Sequence, residues 1–223
     1  MTYVCSDIHG YYGEYMDALG LLGKDDTLYI IGDVLDRGPD GIEILLDIMN
    51  RKNVVLLKGN HEYMLTDTLS ELAGTSSNEA ESIIESSLSF EPYGQGETLR
   101  AFAELDADMQ YNIIDFINRL PYYAELEVGG QQYVLVHAGL PDFDDTPLDF
   151  YNEEDLLFGS HDYEIEHYED TIVLIGHQPT RYIFAAEPDK IYYCNDTINL
   201  DCGLGRGGQL GVLCLDTGEE IYF

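Results

Sequence analysis

Residues 27–38 read TLYIIGDVLDRG, an apolar run that ends abruptly in glycine and two aspartates. The apolar half predicts a short buried strand. The same order, a short strand followed by polar residues, occurs at 2–10 (TYVCSDIHG) and at 53–62 (NVVLLKGNHE). Helices predicted at 11–22 and 40–50 separate the three strands. Strands that alternate with helices pair in parallel, so the first part of the chain predicts a layered α/β fold.

The rest of the chain changes character twice. From His61 to Asn118 the pattern is mostly helical, with breaks near 74–78 and 92–96, and we interpret about 64–118 as a helical insertion or cap on the sheet. Beyond it, Gly129-Gly130 lies between two strand patterns and predicts a two-residue hairpin. The strands predicted in this half are 122–128, 131–136, 171–175, 190–194, 197–200, 209–215 and 220–223. No flexible linker separates the parts, so we expect one domain over residues 1–223.

The charge is strongly negative, because 43 acidic residues against 10 basic residues give −33. Nucleic-acid binding and adhesion to anionic membranes both need clustered lysine and arginine, and the composition excludes both. The hydrophobic fraction of 45% is typical of a folded chain rather than a disordered one. With no membrane-spanning run and no signal-peptide pattern, we expect a cytoplasmic protein whose four cysteines are reduced.

Residues suited to metal binding follow the predicted strands. They are Asp7 and His9, then Asp33, then Asn60, and in the second half His137 and His177, which follow apolar runs in HAG and GH turns. The carboxyl ends of strands in an open α/β sheet are where sites are built. Each residue alone is weak evidence, because a lone histidine is more often a core residue. With His61 beside Asn60, four of the six histidines nevertheless fall in these motifs, which predicts one shared site.

Taken together, these motifs resemble those of the calcineurin-like metallophosphoesterase superfamily. The Asp-Arg-Gly at 36–38 and the Gln-Pro at 178–179 are similar to the PPP-type bacterial and phage serine/threonine protein phosphatases, which are related to the diadenosine tetraphosphatases. The resemblance runs from Asp7 to about residue 205. It implies a four-layer α/β/β/α sandwich with a helical insertion, and an enzyme that hydrolyses phosphoric esters with two metal ions.

The resemblance also implies the ligands of two divalent ions: Asp7 and His9 for the first, Asn60, His137 and His177 for the second, and Asp33 as the bridge. Mixed nitrogen and oxygen ligands favour Mn²⁺, with Fe or Zn²⁺ as alternatives, over Ca²⁺ and Mg²⁺. In such enzymes a metal-bridging hydroxide attacks phosphorus.

Three further residues receive roles by resemblance. His61 would protonate the leaving group, Asp36 would orient the His61 ring and raise its proton affinity, and Arg37 would grip phosphate oxygens through its two-pronged guanidinium. The chain departs from the family at one point. Where a second phosphate-binding arginine is expected, after the Leu-Leu-Phe run at 156–158, Ser160 or His161 stands instead.

Three residues could replace that arginine, namely Arg181, Arg206 and His161, and nothing in the sequence chooses among them. The expected substrate is a phosphorylated protein or peptide, or a small phosphoester, and the oligomeric state is open. The leading hypothesis is a phosphomonoesterase of the serine/threonine protein phosphatase kind. The alternatives are a symmetrical diadenosine tetraphosphate hydrolase or another nucleotidase, and a catalytically inactive binding module, which the missing arginine suggests.

Two other signals predict no site. Residues 203–208 match a dinucleotide-binding G-x-G-x-x-G pattern, but a strand is predicted after them where that motif requires a helix. The acidic run with Asp142, Asp144, Asp145 and Asp149 lacks the glycine and glutamate of a calcium loop and predicts a solvated loop. His167 lies in a similarly acidic run, and we expect it to be exposed.

Overall fold

Two five-stranded sheets form the centre of the protein, seen in a computed structural model that describes residues 1–90, 94–140 and 147–223. The strands are β1 (Thr2–Cys5), β2 (Thr27–Ile30), β3 (Val54–Leu56), β4 (Tyr123–Val128), β5 (Gln131–Val136), β6 (Thr171–Ile175), β7 (Tyr192–Cys194), β8 (Thr197–Asn199), β9 (Gly211–Cys214) and β10 (Glu220–Tyr222). The helices are α1 (Tyr12–Gly20), α2 (Gly41–Met49), α3 (Asn60–Leu72), α4 (Ser77–Phe90), α5 (Gly96–Ala103), α6 (Ala107–Arg119) and α7 (Glu153–Phe158).

Each sheet combines three adjacent parallel strands with two strands that pair in antiparallel orientation. In the first sheet the order is β10-β9-β1-β2-β3, with β1, β2 and β3 parallel as predicted. In the second the order is β4-β5-β6-β8-β7, with β5, β6 and β8 parallel. The hairpin predicted at residues 129–130 joins β4 to β5 in antiparallel register. The parallel strands of both sheets therefore end in loops that can carry a shared site.

Alternating side chains divide the structure into layers. On β1, Tyr3 and Cys5 pack against the helices while Val4 faces the space between the sheets. On β5, Leu135 faces that same space and Val136 faces the opposite side. Because neighbouring residues of a strand point to opposite faces, these contacts separate helices, first sheet, second sheet and an outer layer that contains α7. The predicted α/β/β/α order is confirmed.

Helices α3 to α6 occupy the segment expected to be a cap. Their buried residues, such as Leu69, Phe102 and Ile113, belong to the same core as α1, α2 and one face of the first sheet. The segment thus completes the outer helical layer, and we propose that the whole chain is one domain. The break predicted at 92–96 falls partly outside the described residues, as do Asp142, Asp144 and Asp145. Asp149 is described, and it accepts a hydrogen bond from the Tyr123 hydroxyl at 2.5 Å.

One sequence expectation is wrong. His167 is not exposed but 3% accessible, because its ring stacks on His161 with centroids 4.5 Å apart and its Nε2 lies 3.2 Å from the Leu140 carbonyl oxygen. Its backbone N–H donates to Asp196. The acidic neighbours in sequence gave no sign of these contacts. The four cysteines are free thiols, as expected. Within the described ranges, no helix combines the length and the apolar character that crossing a membrane requires.

Candidate metal centre

The loops that follow five parallel strands meet at one edge of the two sheets. Asp7 and His9 follow β1, Asp33 follows β2, and Asn60 follows β3 at the first residue of α3. His137 follows β5 and His177 follows β6 in the second sheet. All six side chains predicted as metal ligands therefore lie at the carboxyl ends of strands, and the sheets bring the two halves of the chain together here.

Asp33 is at the centre of the cluster. Its Oδ2 lies 3.7 Å from Nε2 of His9 and 3.8 Å from Nε2 of His61, and its Oδ1 lies 3.5 Å from Nε2 of His137. Ligands placed about 2.1 Å from one ion stand roughly 3.0–3.5 Å apart. The two oxygens of Asp33 thus face two different groups of donors, which is the geometry that a bridging carboxylate needs.

Asn60 organises the second group of donors. Its Oδ1 lies 2.9 Å from Nε2 of His137 and 2.9 Å from Nδ1 of His177. His137 uses its other nitrogen, Nδ1, to donate to the Ile31 carbonyl at 2.9 Å. That bond orients the ring so that Nε2 points into the cluster, and Nε2 is the nitrogen that would bind a metal in place of its proton.

A test of whether metal ions fit comes from buried polar atoms without a partner. Among the described residues, Asp7 Oδ1 and His9 Nε2 are buried with no hydrogen-bond partner, and they lie 3.8 Å apart. The other His9 nitrogen donates to the Leu35 carbonyl at 3.0 Å, so Nε2 carries a lone pair. Two acceptors that face each other in the interior are costly unless a cation lies between them. The donor set fits metal ions, and close groupings of His9, Asp33 and His61 and of Asp7, Asp33 and His137 satisfy the spacing for one ion each.

Burial and mutual charge set the protonation of these donors. Burial raises the pKa of Asp7 to about 6 and lowers that of His9 to about 3. For Asp33, burial acts to raise the pKa, but the adjacent histidines outweigh it and hold the pKa below its usual range. Burial and the charge of His137 lower the pKa of His177 to about 4. At neutral pH these four side chains are in the deprotonated forms that ligate metals.

His61, Asp36 and Arg37 form a contiguous group beside Asp33. Nδ1 of His61 donates to Oδ2 of Asp36 at 2.6 Å, and Nε2 of His61 lies 3.3 Å from Nη2 of Arg37. Burial acts to lower the pKa of His61, but Asp33 and Asp36 outweigh it and raise the pKa to about 9. The ring is therefore a proton donor near neutral pH. Its distance to Asp33 also permits metal ligation.

The backbone at the site is unusual. Six of the predicted site residues have positive φ between 50° and 68°: Asp7, His9, Asp33, Asp36, Arg37 and His177. Residues with a side chain seldom adopt this region, and such conformations concentrate at functional sites. Gly59 shows why the adjoining turn excludes a side chain, because a Cβ there would lie 2.2 Å from Oδ1 of Asp33.

Glu62 is an important residue that the sequence interpretation missed. It is completely buried, and its two oxygens accept hydrogen bonds from the N–H groups of Asp33, Val34, Leu35 and Gly59 at 2.9–3.1 Å. It therefore ties the loop after β2 to the start of α3. A glutamate three residues after Gly59 is a helix N-terminal capping pattern, and this pattern could have revealed the contact.

Asp201 was also missed. It lies just after β8 at the same edge, is 2% exposed, and accepts from the Gly203 N–H through Oδ1, while Oδ2 has no partner among the described residues. Burial and the nearby charge of Asp7 raise its pKa well above the usual range. The signal was available, because a carboxylate that follows a strand is the pattern seen at Asp7 and Asp33.

The family model described as calcineurin-like phosphoesterase matches residues 2–206. That range contains both sheets up to the loop after β8 and every donor described above.

Individual relatives and structures agree with that match. A symmetrical bis(5'-nucleosyl)-tetraphosphatase of Nitrosomonas europaea is 27% identical over 62% of this chain and 44% of its own. The asymmetrical enzyme PrpE of Oceanobacillus iheyensis is 24% identical over 93% of this chain and 85% of its own. The crystal structure of a candidate diadenosine tetraphosphatase superposes with a TM-score of 0.67 at 19% identity, covering 100% of this chain and 92% of its own. The chain spans less than half the length of some curated relatives, namely 25% and 44% for two symmetrical enzymes.

Proposed function

The chain belongs to the calcineurin-like phosphoesterase family, and on that premise we propose that it is a dinuclear metal-dependent hydrolase of phosphomonoesters, similar to serine/threonine protein phosphatases. One observation carries the proposal. The two oxygens of Asp33 face separate groups of buried donors at 3.5–3.8 Å. Beside them, the acceptors on Asp7 and His9 have no hydrogen-bond partner among the described residues. Cations between these donors would offset the cost of burying acceptors without partners.

The proposed ligands are those expected from the sequence: Asp7 and His9 for one ion, Asn60, His137 and His177 for the other, and Asp33 between them. Two divalent ions supply Lewis-acid stabilisation of the phosphoryl oxygens and an activated water at neutral pH. Mn²⁺ suits the mixed donors, with Fe or Zn²⁺ as alternatives.

The remaining chemistry belongs to the side chains of this chain. The imidazolium of His61, kept protonated by Asp33 and Asp36, is placed to give its Nε2 proton to the leaving alkoxide. Asp36 acts through His61 by orienting the ring. Arg37, partly exposed beside Nε2 of His61, can bind two phosphoryl oxygens at once.

A dinucleotide tetraphosphatase is the second candidate, since several relatives carry that name. The net charge of −33 opposes a polyanionic substrate at long range. The phosphomonoester proposal therefore comes first, and the assay must include both substrates.

The test compares wild type with Arg37→Ala in Mn²⁺, using p-nitrophenyl phosphate, phosphothreonine peptides and diadenosine tetraphosphate. The matched control is Arg119→Ala, which removes an exposed arginine of α6 that forms an ion pair with Asp115. We expect the loss of Arg37 to reduce kcat/KM by about 10²–10³-fold, as for other transition-state donors, while calorimetry still counts two bound metal ions. Lack of turnover of all three substrates by the wild type would refute the enzyme proposal. A clear preference for diadenosine tetraphosphate would select the second candidate.

A further inference from the structure

A cavity of about 350 Å³ opens beside the candidate metal centre. Its lining includes Arg37 and the proposed metal ligand His177, together with Phe158, Tyr182 and Arg206. This volume lies at the lower end of the range for small-molecule pockets, and a single phosphoryl group fills only part of it. Of the described residues that line it, Arg37 and Arg206 carry a permanent positive charge.

Among the described residues, no carboxylate forms an ion pair with the guanidinium of Arg206. Within the described part of the chain, the other arginines outside the candidate site each form an ion pair: Arg51 with Asp47, Arg100 with Glu97, Arg119 with Asp115 and Arg181 with Asp189. The Arg206 side chain is exposed, and no described carboxylate lies within ion-pair distance of it. In a chain with 43 acidic residues, an unpaired guanidinium at a pocket wall is free to bind an anion from solution.

The backbone that carries Arg206 is firmly held. Its N–H donates to the Gly203 carbonyl at 2.8 Å, and its own carbonyl accepts from Nη1 of Arg181 at 2.9 Å. Arg181 is in turn fixed by Asp189, whose Oδ1 accepts from its Nε at 2.6 Å. The short 3₁₀ turn at Leu204–Arg206 is therefore anchored from both sides, which keeps the base of the Arg206 side chain in place.

The same turn touches the metal centre directly. A Cβ added at Gly205 would lie 2.6 Å from Cδ2 of His9 and 2.9 Å from Cδ of Arg37, so the backbone lies against both side chains. Arg206 is the next residue, with its Cα about 3.8 Å further along the chain. The turn thus brings Arg206 into the lining of the same cavity as Arg37.

The other two candidates for this role are already engaged. Arg181 binds Asp189 and the Arg206 carbonyl. His161 is 7% exposed, its Nε2 lies 2.8 Å from the Thr197 hydroxyl, and its Nδ1 accepts from the Leu140 N–H at 3.4 Å. Burial lowers the pKa of His161 to about 4, so the ring is uncharged at neutral pH.

We propose that Arg206 binds a phosphate oxyanion of the substrate in this cavity, beside Arg37, and so helps to determine which phosphoesters the site accepts. This inference rests on the proposed function. The oxyanion belongs either to the transferred phosphoryl group or to a neighbouring phosphate of the same substrate. The chemistry is shared, since a guanidinium fork matches the oxygens of either phosphate.

The experiment compares Arg206→Ala with the control Arg119→Ala, because each removes one exposed guanidinium and one positive charge. Arg206→Lys retains the charge without the fork. On Mn²⁺-loaded protein, calorimetry measures the Kd of inorganic phosphate and of methylenediphosphonate, a non-hydrolysable pair of linked phosphates. Steady-state kinetics then measure KM and kcat separately for p-nitrophenyl phosphate and diadenosine tetraphosphate. Thermal unfolding verifies that all variants are folded.

We expect Arg206→Ala to raise the Kd of at least one of the two probes by about tenfold or more, equivalent to about 1.4 kcal/mol. The Kd in Arg206→Lys should be intermediate, and the Kd in Arg119→Ala should equal that of the wild type. Loss of affinity for inorganic phosphate with a higher KM for both substrates assigns the contact to the transferred group. Loss confined to methylenediphosphonate and diadenosine tetraphosphate assigns it to a neighbouring phosphate.

Two outcomes would overturn the inference. Equal Kd values in Arg206→Ala and wild type exclude a direct contact, and equal weakening in Arg119→Ala shows that only long-range charge matters. The result is separable from the proposed function. An inactive wild type that still loses phosphate affinity through Arg206→Ala contradicts the enzyme proposal alone, and an active wild type indifferent to Arg206→Ala contradicts this inference alone.

Discussion

Replacing Glu62 by glutamine tests how the metal ligands are held in place. Oε2 of Glu62 accepts from the N–H groups of Asp33 and Gly59, and Oε1 accepts from those of Val34 and Leu35. An amide presents one acceptor oxygen and one NH₂ donor. Whichever way the amide turns, two of the four buried N–H groups lose their acceptor and face another donor.

The size of the effect follows from this count. A buried donor left without a partner costs about 1–3 kcal/mol, so two of them predict a loss of about 2–6 kcal/mol in the free energy of unfolding. Domains are typically stable by about 5–15 kcal/mol, and the variant should therefore be much less stable. For a chain of this size each kcal/mol lowers Tm by about 2–4 °C, which predicts a drop of at least about 4 °C.

The assay is thermal and urea unfolding of Glu62→Gln beside Glu71→Gln, which makes the same chemical change on an exposed residue of the same helix. Surface changes of this kind stay within about 0.5 kcal/mol. Mn²⁺ titration should also show weaker binding, because the four hydrogen bonds to Glu62 position both Asp33 and the helix end that carries Asn60. If Glu62→Gln unfolds like Glu71→Gln and binds Mn²⁺ equally well, the hydrogen bonds to Glu62 do not hold the metal ligands in place.

Three further predictions concern the reaction. Asp36→Asn removes one of the carboxylates that raise the pKa of His61 to about 9. The alkaline limb of the pH profile of kcat should therefore move to lower pH, and kcat should fall by about 10²–10⁴-fold. If the alkaline limb does not move, a group other than His61 is responsible for it. Dialysis against a chelator should abolish turnover and lower Tm. Mn²⁺ at 100 times its Kd should restore about 2.7 kcal/mol of the free energy of unfolding; equal Tm with and without metal would contradict the metal assignment. Basic phosphopeptides should outperform acidic ones at low salt, because the net charge is −33, and the difference should shrink near 0.15 M salt, where the Debye length is about 8 Å; a preference for acidic peptides would contradict this field effect.

The sequence was sufficient for features that depend on local order. The parallel strands that precede Asp7, Asp33 and Asn60 could be predicted, because strand patterns and glycine turns are local. The carboxyl ends of such strands meet at one edge of a sheet. The contact of His137 with Asn60 depends on how the second sheet packs on the first, and only the family resemblance implied that these two residues share one ion. Its geometry, 2.9 Å between Nε2 and Oδ1, comes from the structure.

Features that depend on distant partners could not be predicted. His167 lies in an acidic stretch, and its burial requires Leu140 and Asp196, which are 27 and 29 residues away in the chain. The choice of Arg206 over Arg181 likewise depends on Asp189 pairing with one arginine and leaving the other free. Sequence shows which residues carry charge but does not show which charges neutralise each other.

Hydrogen bonds between the loops at the site hold the strained backbone conformations in place. The loop after β1 extends its pairing with the loop after β2 through N–H groups of Asp7, His9 and Gly10, which donate to carbonyls of residues 32, 33 and 34 at 3.2, 2.9 and 2.7 Å. Glu62 then attaches the second loop to α3. Three ligand-bearing loops are thereby joined into one hydrogen-bonded unit.

That unit explains how conformations with positive φ persist at Asp7, His9 and Asp33. Each costs about 1–3 kcal/mol in isolation, and a loop held at a single point would relax. Here relaxation of one loop would break the bonds of the next, so the strain is retained and the donors stay aimed at Asp33. The ligands are consequently ordered before any ion binds, and little ordering entropy opposes binding. Metal affinity and the local stability of these loops should therefore fall together when any link of the unit is cut.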